Sequence, residues 1–132
     1  MNSLSLNGIT SANGLVLPKH IGDDLDLSNL ESAEGIILPE HIGRSLYLSN
    51  LTSAEDLVLP EYVRWGLFLD NLKNAKNIVL PKHVGDGQID LISLETLDGL
   101  IIPEDFDYEI RTKFGIINKD NIGEYRSKGK IH

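Results

Sequence analysis

The sequence predicts a mainly β fold, a parallel β-solenoid of about five rungs with a short C-terminal cap. Two short apolar runs with strand character recur in every rung, and a repeat of about 20 to 50 residues is typical of solenoids and propellers. The five prolines all occupy one repeat position, the first four at a spacing of 21 residues and the last after 22: Pro18, Pro39, Pro60, Pro81 and Pro103. The length of 132 residues fits a single domain.

Each rung opens with two apolar residues separated by one other residue. This alternation has period two, which is typical of a strand with one buried face. The apolar pairs are Leu4/Leu6, Leu25/Leu27, Leu46/Leu48, Leu67/Leu69 and Ile89/Leu91. The residues between them, including Asp26, Tyr47, Phe68 and Asp90, are expected to point outward.

A second run is apolar at every position and ends at the proline, which predicts a second strand. These runs are residues 15–17, 36–38, 57–59, 78–80 and 100–102. A further apolar column is expected to close each turn around a filled interior. Its members are Ile21, Ile42, Val63, Val84 and Phe106.

A column of asparagines and a column of glycines predict where the chain bends in each rung. The asparagines are expected to form an internal ladder that satisfies backbone groups after the first strand. They are Asn29, Asn50 and Asn71. The glycines mark a turn at which positive φ is expected. They are Gly22, Gly43 and Gly85.

The repeat is expected to span residues 1–103, with a cap and tail at 104–132 in the same domain. Phe106, Ile110 and Phe114 lie at helical spacing, with acidic residues before them and basic residues near their end. This pattern predicts a short capping helix, with a strand-like cap as the alternative.

The two ends of the chain carry further expectations. Residues 115–122 are expected to form a loop or hairpin over the open end, and Gly123 is expected to begin a mobile polar tail. No comparable segment precedes Leu4. Because an uncovered strand edge can pair with another chain, a homodimer is one expected assembly.

The rungs resemble leucine-rich repeats. Residues 25–30, 46–51 and 67–72 read Leu-Asp-Leu-Ser-Asn-Leu, Leu-Tyr-Leu-Ser-Asn-Leu and Leu-Phe-Leu-Asp-Asn-Leu, like the strand-and-asparagine segment of that family. The Leu-Pro pairs resemble its short bacterial form, and the resemblance covers residues 4–103. The spacing around asparagine is shorter here than in the family, so a two-sheet solenoid is the alternative to a horseshoe. The resemblance implies protein recognition without catalysis.

Composition excludes several classes of function. The chain has no cysteine, so disulfides, thiolate metal sites and a catalytic thiol are excluded. It lacks the pattern of a membrane span or a signal peptide, which predicts a cytoplasmic protein that does not bind membranes. Residues 1–108 carry 17 acidic and 6 basic residues, a net charge of −11. Since no basic stripe is available for phosphates, direct binding of nucleic acid is not expected.

The third rung deviates from the others by concentrating aromatic residues. Tyr47, Tyr62, Trp65 and Phe68 are four of the eight aromatic residues, and Arg64 lies among them. These side chains are expected to meet on one outer face. Exposed aromatic residues beside an arginine are typical of a protein-interaction hot spot. The sequence therefore predicts a non-enzymatic protein-binding module whose partner is basic or binds nucleic acid.

The alternative function is that of a small acidic inhibitor. Regularly spaced carboxylates can imitate nucleic acid and block the basic groove of a nucleic-acid-binding enzyme, as in some phage proteins directed against host defences. The residues that would form this acidic face are Asp23, Asp24, Asp26, Asp86 and Asp90.

Histidines recur at one repeat position, where His20 and His41 are expected about 5 Å apart on neighbouring rungs. We interpret this column, which also includes His83, as surface residues inherited by duplication rather than a metal site. No nucleophile elbow or phosphate-binding glycine loop is present. The expectation is a protein without catalytic residues, metal ligands or cofactors.

Overall fold

The chain forms a parallel β-solenoid of about four turns, with a repeat of about 21 residues. The structure is a computed structural model that describes residues 4–6, 8–11, 15–75, 78–85, 87–127 and 131. It is mainly β, as the sequence predicts, and its one described helix is short. Stacked turns bury faces that no single turn could bury alone, so each turn depends on its neighbours.

Two sheets run along the solenoid. The seven-stranded sheet consists, in spatial order, of β1 (Leu4–Ser5), β3 (Leu25–Asp26), β5 (Ser45–Tyr47), β7 (Gly66–Phe68), β9 (Gln88–Leu91), β10 (Glu109–Thr112) and β11 (Gly115–Ile117). The four-stranded sheet consists of β2 (His20–Ile21), β4 (His41–Ile42), β6 (Tyr62–Val63) and β8 (His83–Val84). All neighbours pair in parallel except β10 and β11, which are antiparallel.

The apolar columns fill the interior as predicted. Leu25 pairs in register with Leu46, and Leu46 with Leu67, so identical positions stack directly. The column that closes each turn is also buried: Ile21, Ile42, Val63, Val84 and Phe106. Burial of such side chains contributes roughly 1.5–3 kcal/mol each, which stabilises the stack.

The second strand is not where the sequence predicts it. Residues 36–38 and 57–59 belong to no strand, and a single parallel bridge joins Val79 to Ile101 within the described part of this side. The second sheet lies instead just beyond the prolines, at the histidine and apolar columns. The proline that ends each run has no N–H to donate to a ladder. We call the side of the solenoid formed by the second apolar runs and the prolines that end them the proline side.

The solenoid has fewer complete turns than the predicted five. Four turns contribute a strand to each sheet, whereas the fifth contributes β9 and then passes directly to β10. Phe106 fills the closing position of that turn and is buried. The stacking continues beyond Pro103, because Ile110 of β10 pairs in register with Ile89.

The predicted capping helix over residues 104–114 is wrong, and the strand-like alternative is correct for residues 109–112. Ile110 and Thr112 of β10 are buried while Glu109 and Arg111 are exposed, which is the alternation of a strand. The exposed edge of β9 provides backbone partners for β10, and this pairing outweighs the helical spacing of the apolar residues. A hairpin is present, but it spans residues 109–117 as β10 and β11, so only β11 falls within the range 115–122 that the sequence predicts.

The predicted polar tail contains a helix. A helix, α1 (Ile122–Ser127), begins where the mobile tail is predicted, and the side chains of Ile122 and Ile131 are buried. The segment is polar in composition, but these two isoleucines pack in the core, which the composition alone does not indicate. Among the described residues, no helix is long and apolar enough to cross a membrane.

The bends differ from both predictions. Asn29, Asn50 and Asn71 lie at exposed positions, so this column is not internal as predicted. Within the described residues, the glycines with positive φ are Gly35, Gly99 and Gly115 rather than the predicted glycine column. The predicted column has a different role, because a side chain at Gly43 would lie 2.2 Å from the carbonyl oxygen of Gly22 on the turn below. Close stacking of turns therefore requires glycine there.

Candidate protein-binding surface

The outward side chains of the seven-stranded sheet form a row along the solenoid. Strand register aligns Asp26, Tyr47, Phe68, Asp90 and Arg111 in that order. Their side chains alternate with the buried leucines, which is why a strand periodicity of two places them all outside. The row therefore has two aromatic rings at its centre and a carboxylate on either side.

Tyr47 and Phe68 are stacked as the repeat predicts. Their ring centroids are 5.0 Å apart and the planes are 7° from parallel. Both side chains are half-buried. The ring of Phe68 lies over Gly66, where an added Cβ would be 3.1 Å from two ring carbons. The absence of a side chain at Gly66 therefore leaves room for the ring beside the strand.

Trp65 lies in the turn that connects β6 to β7 and is 41% exposed. The guanidinium carbon of Arg44 is 3.9 Å from the centroid of the indole, within the range of a cation–π contact. The same guanidinium is 3.2 Å from Asp23 Oδ1, so it is held from both sides. Arg44 therefore links the indole of Trp65 to the carboxylate of Asp23 across adjacent turns.

The predicted interaction residues do not all meet on one face. Tyr62 belongs to the four-stranded sheet, where it lies between His41 and His83 in the outward column. Arg64 is exposed in the turn beside Trp65, but the cation over the indole is that of Arg44. The aromatic residues thus follow the chain around from one sheet to the other. We define Tyr47, Trp65 and Phe68 as the aromatic surface.

Sequence reasoning missed Arg44, although the repeat contains the signal. Arg44 and Trp65 are 21 residues apart and therefore occupy equivalent positions on adjacent turns. Asp23 lies at the same position one turn earlier. Side chains at one repeat position stack, so this ion pair and cation–π contact could have been predicted from the spacing alone.

The described carboxylates of the predicted acidic face form hydrogen bonds or an ion pair within the protein. Asp24 accepts a hydrogen bond from the Ser45 backbone N–H at 3.0 Å, and Asp90 accepts one from the Ile92 N–H at 3.1 Å. Asp26 accepts from both the backbone and the hydroxyl of Ser28. Asp86 lies outside the described residues. The orientation of the described carboxylates is set by hydrogen bonds from their own chain and by Arg44.

The largest exposure of apolar side chains lies on the proline side. We define the aliphatic stripe by the central residues of the second runs, which are exposed to 89%, 79%, 79% and 54%: Val16, Ile37, Val58 and Val79. A shallow groove of about 510 Å³ lies beside it, between residues 36–40 and 58–61. The sequence did not predict this stripe, because a fully apolar run suggests burial at every position.

A second concave region lies near the C-terminal hairpin. It has a volume of about 390 Å³, and its lining includes Glu95, Asp98, Glu124, Phe114 and Tyr125. The three carboxylate residues are exposed. The lining also includes Thr96, whose hydroxyl oxygen accepts a hydrogen bond from the Asp98 backbone N–H at 3.1 Å.

Comparison with protein-family models, curated proteins and solved structures found no match to this chain. The function is therefore inferred from the chain's own residues.

Proposed function

We propose that this chain is a non-enzymatic protein-binding module of the cytoplasm and that the aromatic surface contacts its partner. The stacked pair Tyr47 and Phe68, together with the exposed indole of Trp65 in the turn before β7, supports this proposal. Arg64, which is exposed beside Trp65, adds a positive charge at its edge, whereas Tyr62 lies on the four-stranded sheet and is not part of this surface. Aromatic anchors that are ordered before binding lose little conformational entropy on association, which favours affinity.

Charge supports a basic protein as the partner. Asp26 and Asp90 flank the aromatic rings within the same row, and residues 1–108 have a net charge of −11. Acidic groups around an apolar centre attract a complementary basic surface and orient it. A nucleic-acid-binding enzyme is one protein with such a surface.

We propose that the solenoid is of leucine-rich-repeat type. The Leu-x-Leu strand segments and the Leu-Pro pairs support this assignment, and the exposed position of Asn29, Asn50 and Asn71 argues against a closely similar asparagine ladder. The proposed binding function does not depend on the repeat family, because it rests on the contacts of Tyr47, Phe68 and Trp65.

The acidic-inhibitor alternative has less support. It needs carboxylates that are free to imitate phosphates, whereas Asp23 pairs with Arg44 and Asp24 caps the backbone of Ser45. A homodimer through the aromatic surface is the other alternative. The experiment below distinguishes all three.

The test begins with capture of a partner from cells of the source organism, followed by calorimetry with the purified partner. The test variant is Tyr47→Ser/Trp65→Ser, which leaves Phe68 in place over Gly66. The matched control is Ile37→Ser/Val58→Ser on the aliphatic stripe, and Asp26→Asn/Asp90→Asn reports on charge. Trp65 is the single tryptophan, so its fluorescence follows binding by the unmodified protein directly.

The proposal expects the aromatic variant to lose about 2–4 kcal/mol of binding free energy, as hot-spot truncations do, while its melting temperature changes little. The stripe control should retain affinity. Loss of binding in the stripe control alone would move the interface to the proline side. Binding that disappears at high salt and ignores the aromatic variant would support the acidic inhibitor. A dimer that becomes monomeric, without any partner, would identify self-association.

A further inference from the structure

The outward face of the four-stranded sheet brings two imidazoles together. His20 pairs in register with His41, and the ring centroids are 4.7 Å apart with planes 18° from parallel. His20 is exposed and His41 is half-buried. Neighbouring imidazoles at strand spacing can form part of a metal site, because each neutral ring donates a lone pair from its unprotonated nitrogen.

A carboxylate completes the group. One ligand atom from each of His20, Glu40 and His41 lies within 4.8 Å of the others, the only such set of three among the described residues. Glu40 is exposed, and in the part of the chain that the structure describes its carboxylate forms no ion pair. Two imidazoles and one carboxylate are a donor set that zinc accepts, with a fourth position left for water.

A second, independent observation concerns His41 alone. Its Nδ1 atom is buried and has no hydrogen-bond partner among the described residues. A buried polar atom without a partner is unfavourable, and native structures contain few of them. Coordination of a cation would satisfy this nitrogen.

The equivalent position one turn further on does not offer the same group. Tyr62 stands where a third adjacent histidine would be needed, and the His83 ring centroid is 6.5 Å from that of Tyr62. Glu61 is paired with Lys82 at 3.5 Å. The chelating arrangement is thus confined to the first two turns, and His83 provides a matched control within the same molecule.

We propose that His20, Glu40 and His41 bind a divalent transition-metal ion of the zinc class. Tetrahedral zinc with bonds of about 2.0–2.2 Å needs donor atoms roughly 3.4 Å apart, so donors that lie within 4.8 Å of one another must approach by up to about 1.4 Å. Side-chain rotation of the exposed His20 and Glu40 provides this movement. It also turns the nearly parallel rings so that their lone pairs converge.

The ion would join the first turn to the second. Strand β2 is the outermost strand of the four-stranded sheet, so its only partner in that sheet is β4. A metal bridge across β2 and β4 would therefore stabilise the edge at which the solenoid begins. This site is separate from the aromatic surface, and it reverses the expectation of no metal that the sequence gives.

The experiment measures zinc chloride binding by calorimetry and by the melting temperature of the full chain without a polyhistidine tag. Calcium chloride and magnesium chloride serve as comparison salts, since these ions prefer oxygen ligands. His132 is replaced by alanine in every protein to remove an adventitious ligand. The variants are His20→Ala, Glu40→Gln and His41→Ala, and the control is His83→Ala.

The proposal expects one zinc ion per chain at micromolar affinity and a rise of several degrees in melting temperature. His20→Ala and Glu40→Gln should weaken zinc binding by roughly tenfold or more, while His83→Ala has no effect. Both test residues are exposed, so these variants fold even if His41→Ala does not. Millimolar binding, or equal losses in the His83→Ala control and the test variants, would overturn the proposal.

Discussion

At the scale of single residues, one glycine shows how tightly the turns are stacked beside the aromatic surface. A side chain at Gly87 would lie 1.1 Å from the carbonyl oxygen of Trp65. The one extra residue of the 22-residue repeat falls in this same turn, between Val84 and Ile89. The backbone of Trp65 is therefore packed directly against a turn that only glycine can form.

Gly87→Ala is expected to lower the free energy of unfolding by more than about 2 kcal/mol, because the added carbon meets backbone atoms that cannot rotate away. Chemical denaturation monitored by Trp65 fluorescence measures the loss. Gly123→Ala is the control, since a Cβ there meets nothing within 4 Å and lies in helix α1. Equal stability of both variants would contradict the packing described for Gly87.

At the scale of elements, the C-terminal cap is joined to the proline side by a buried hydrogen bond. The Tyr108 hydroxyl donates to the Pro81 carbonyl oxygen at 2.7 Å, and the residue is 3% exposed. Burial, together with the charge of Asp107, raises the pKa of Tyr108 above its usual value. Tyr108 precedes β10 directly, so the bond fixes where the cap strand begins.

Tyr108→Phe is expected to cost about 1–3 kcal/mol of unfolding free energy, because the buried carbonyl of Pro81 loses its donor. Thermal and urea denaturation at neutral pH measure this difference. Retention of full stability would show that the bond contributes nothing net. The phenylalanine ring keeps the packing, so any loss reports on the hydroxyl.

The same residue predicts an alkaline limit to stability. A raised pKa in the folded protein means that the contribution of Tyr108 is complete below the unfolded tyrosine pKa of about 10 and is lost as pH rises above it. The free energy of unfolding should therefore fall above about pH 10 in the unmodified protein. Tyr108→Phe should show a smaller fall over this range. Parallel pH profiles for the two proteins would refute the assignment.

At the scale of the whole molecule, stability comes from the match between neighbouring turns. Each residue of a buried column stacks on the equivalent residue of the neighbouring turn, as Leu25, Leu46 and Leu67 do. Paired residues on adjacent strands are therefore one repeat of 21 residues apart. Such a stack resembles a one-dimensional array in which the interfaces between neighbours dominate the energy. Removal of one complete turn leaves these columns intact.

Deletion of residues 46–66, a full repeat of 21, is therefore expected to leave a folded and cooperative solenoid of lower stability. Deletion of residues 46–65 is the control, because a shift of one residue turns Leu67 to the outer face and exposes the apolar columns. Circular dichroism and thermal unfolding distinguish the two proteins. Similar unfolding of both would contradict a fold controlled by register.

The solenoid, its buried columns and the contact of Tyr47 with Phe68 could be predicted because a period of 21 residues makes equal positions stack. The sequence determined which residues neighbour each other along the axis, including His20 beside His41. It also contained the continuation from Ile89 to Ile110, although the helical spacing of Phe106, Ile110 and Phe114 concealed it. The helical spacing describes this segment in isolation. In the folded protein the unpaired edge of β9 is available, and residues 109–112 pair with it as a strand.

Only the tertiary structure decided which way each side chain around the turn faces. The aliphatic stripe, the separation of Tyr62 from Tyr47 and the open carboxylate of Glu40 beside the two histidines depend on where the chain bends. These bends are set by close backbone approaches such as that of Gly43 to Gly22, and not by hydrophobic periodicity. The repeat spacing determines which residues stack on adjacent turns along the axis. The shape of each turn depends on contacts between its different sides, which the spacing does not specify.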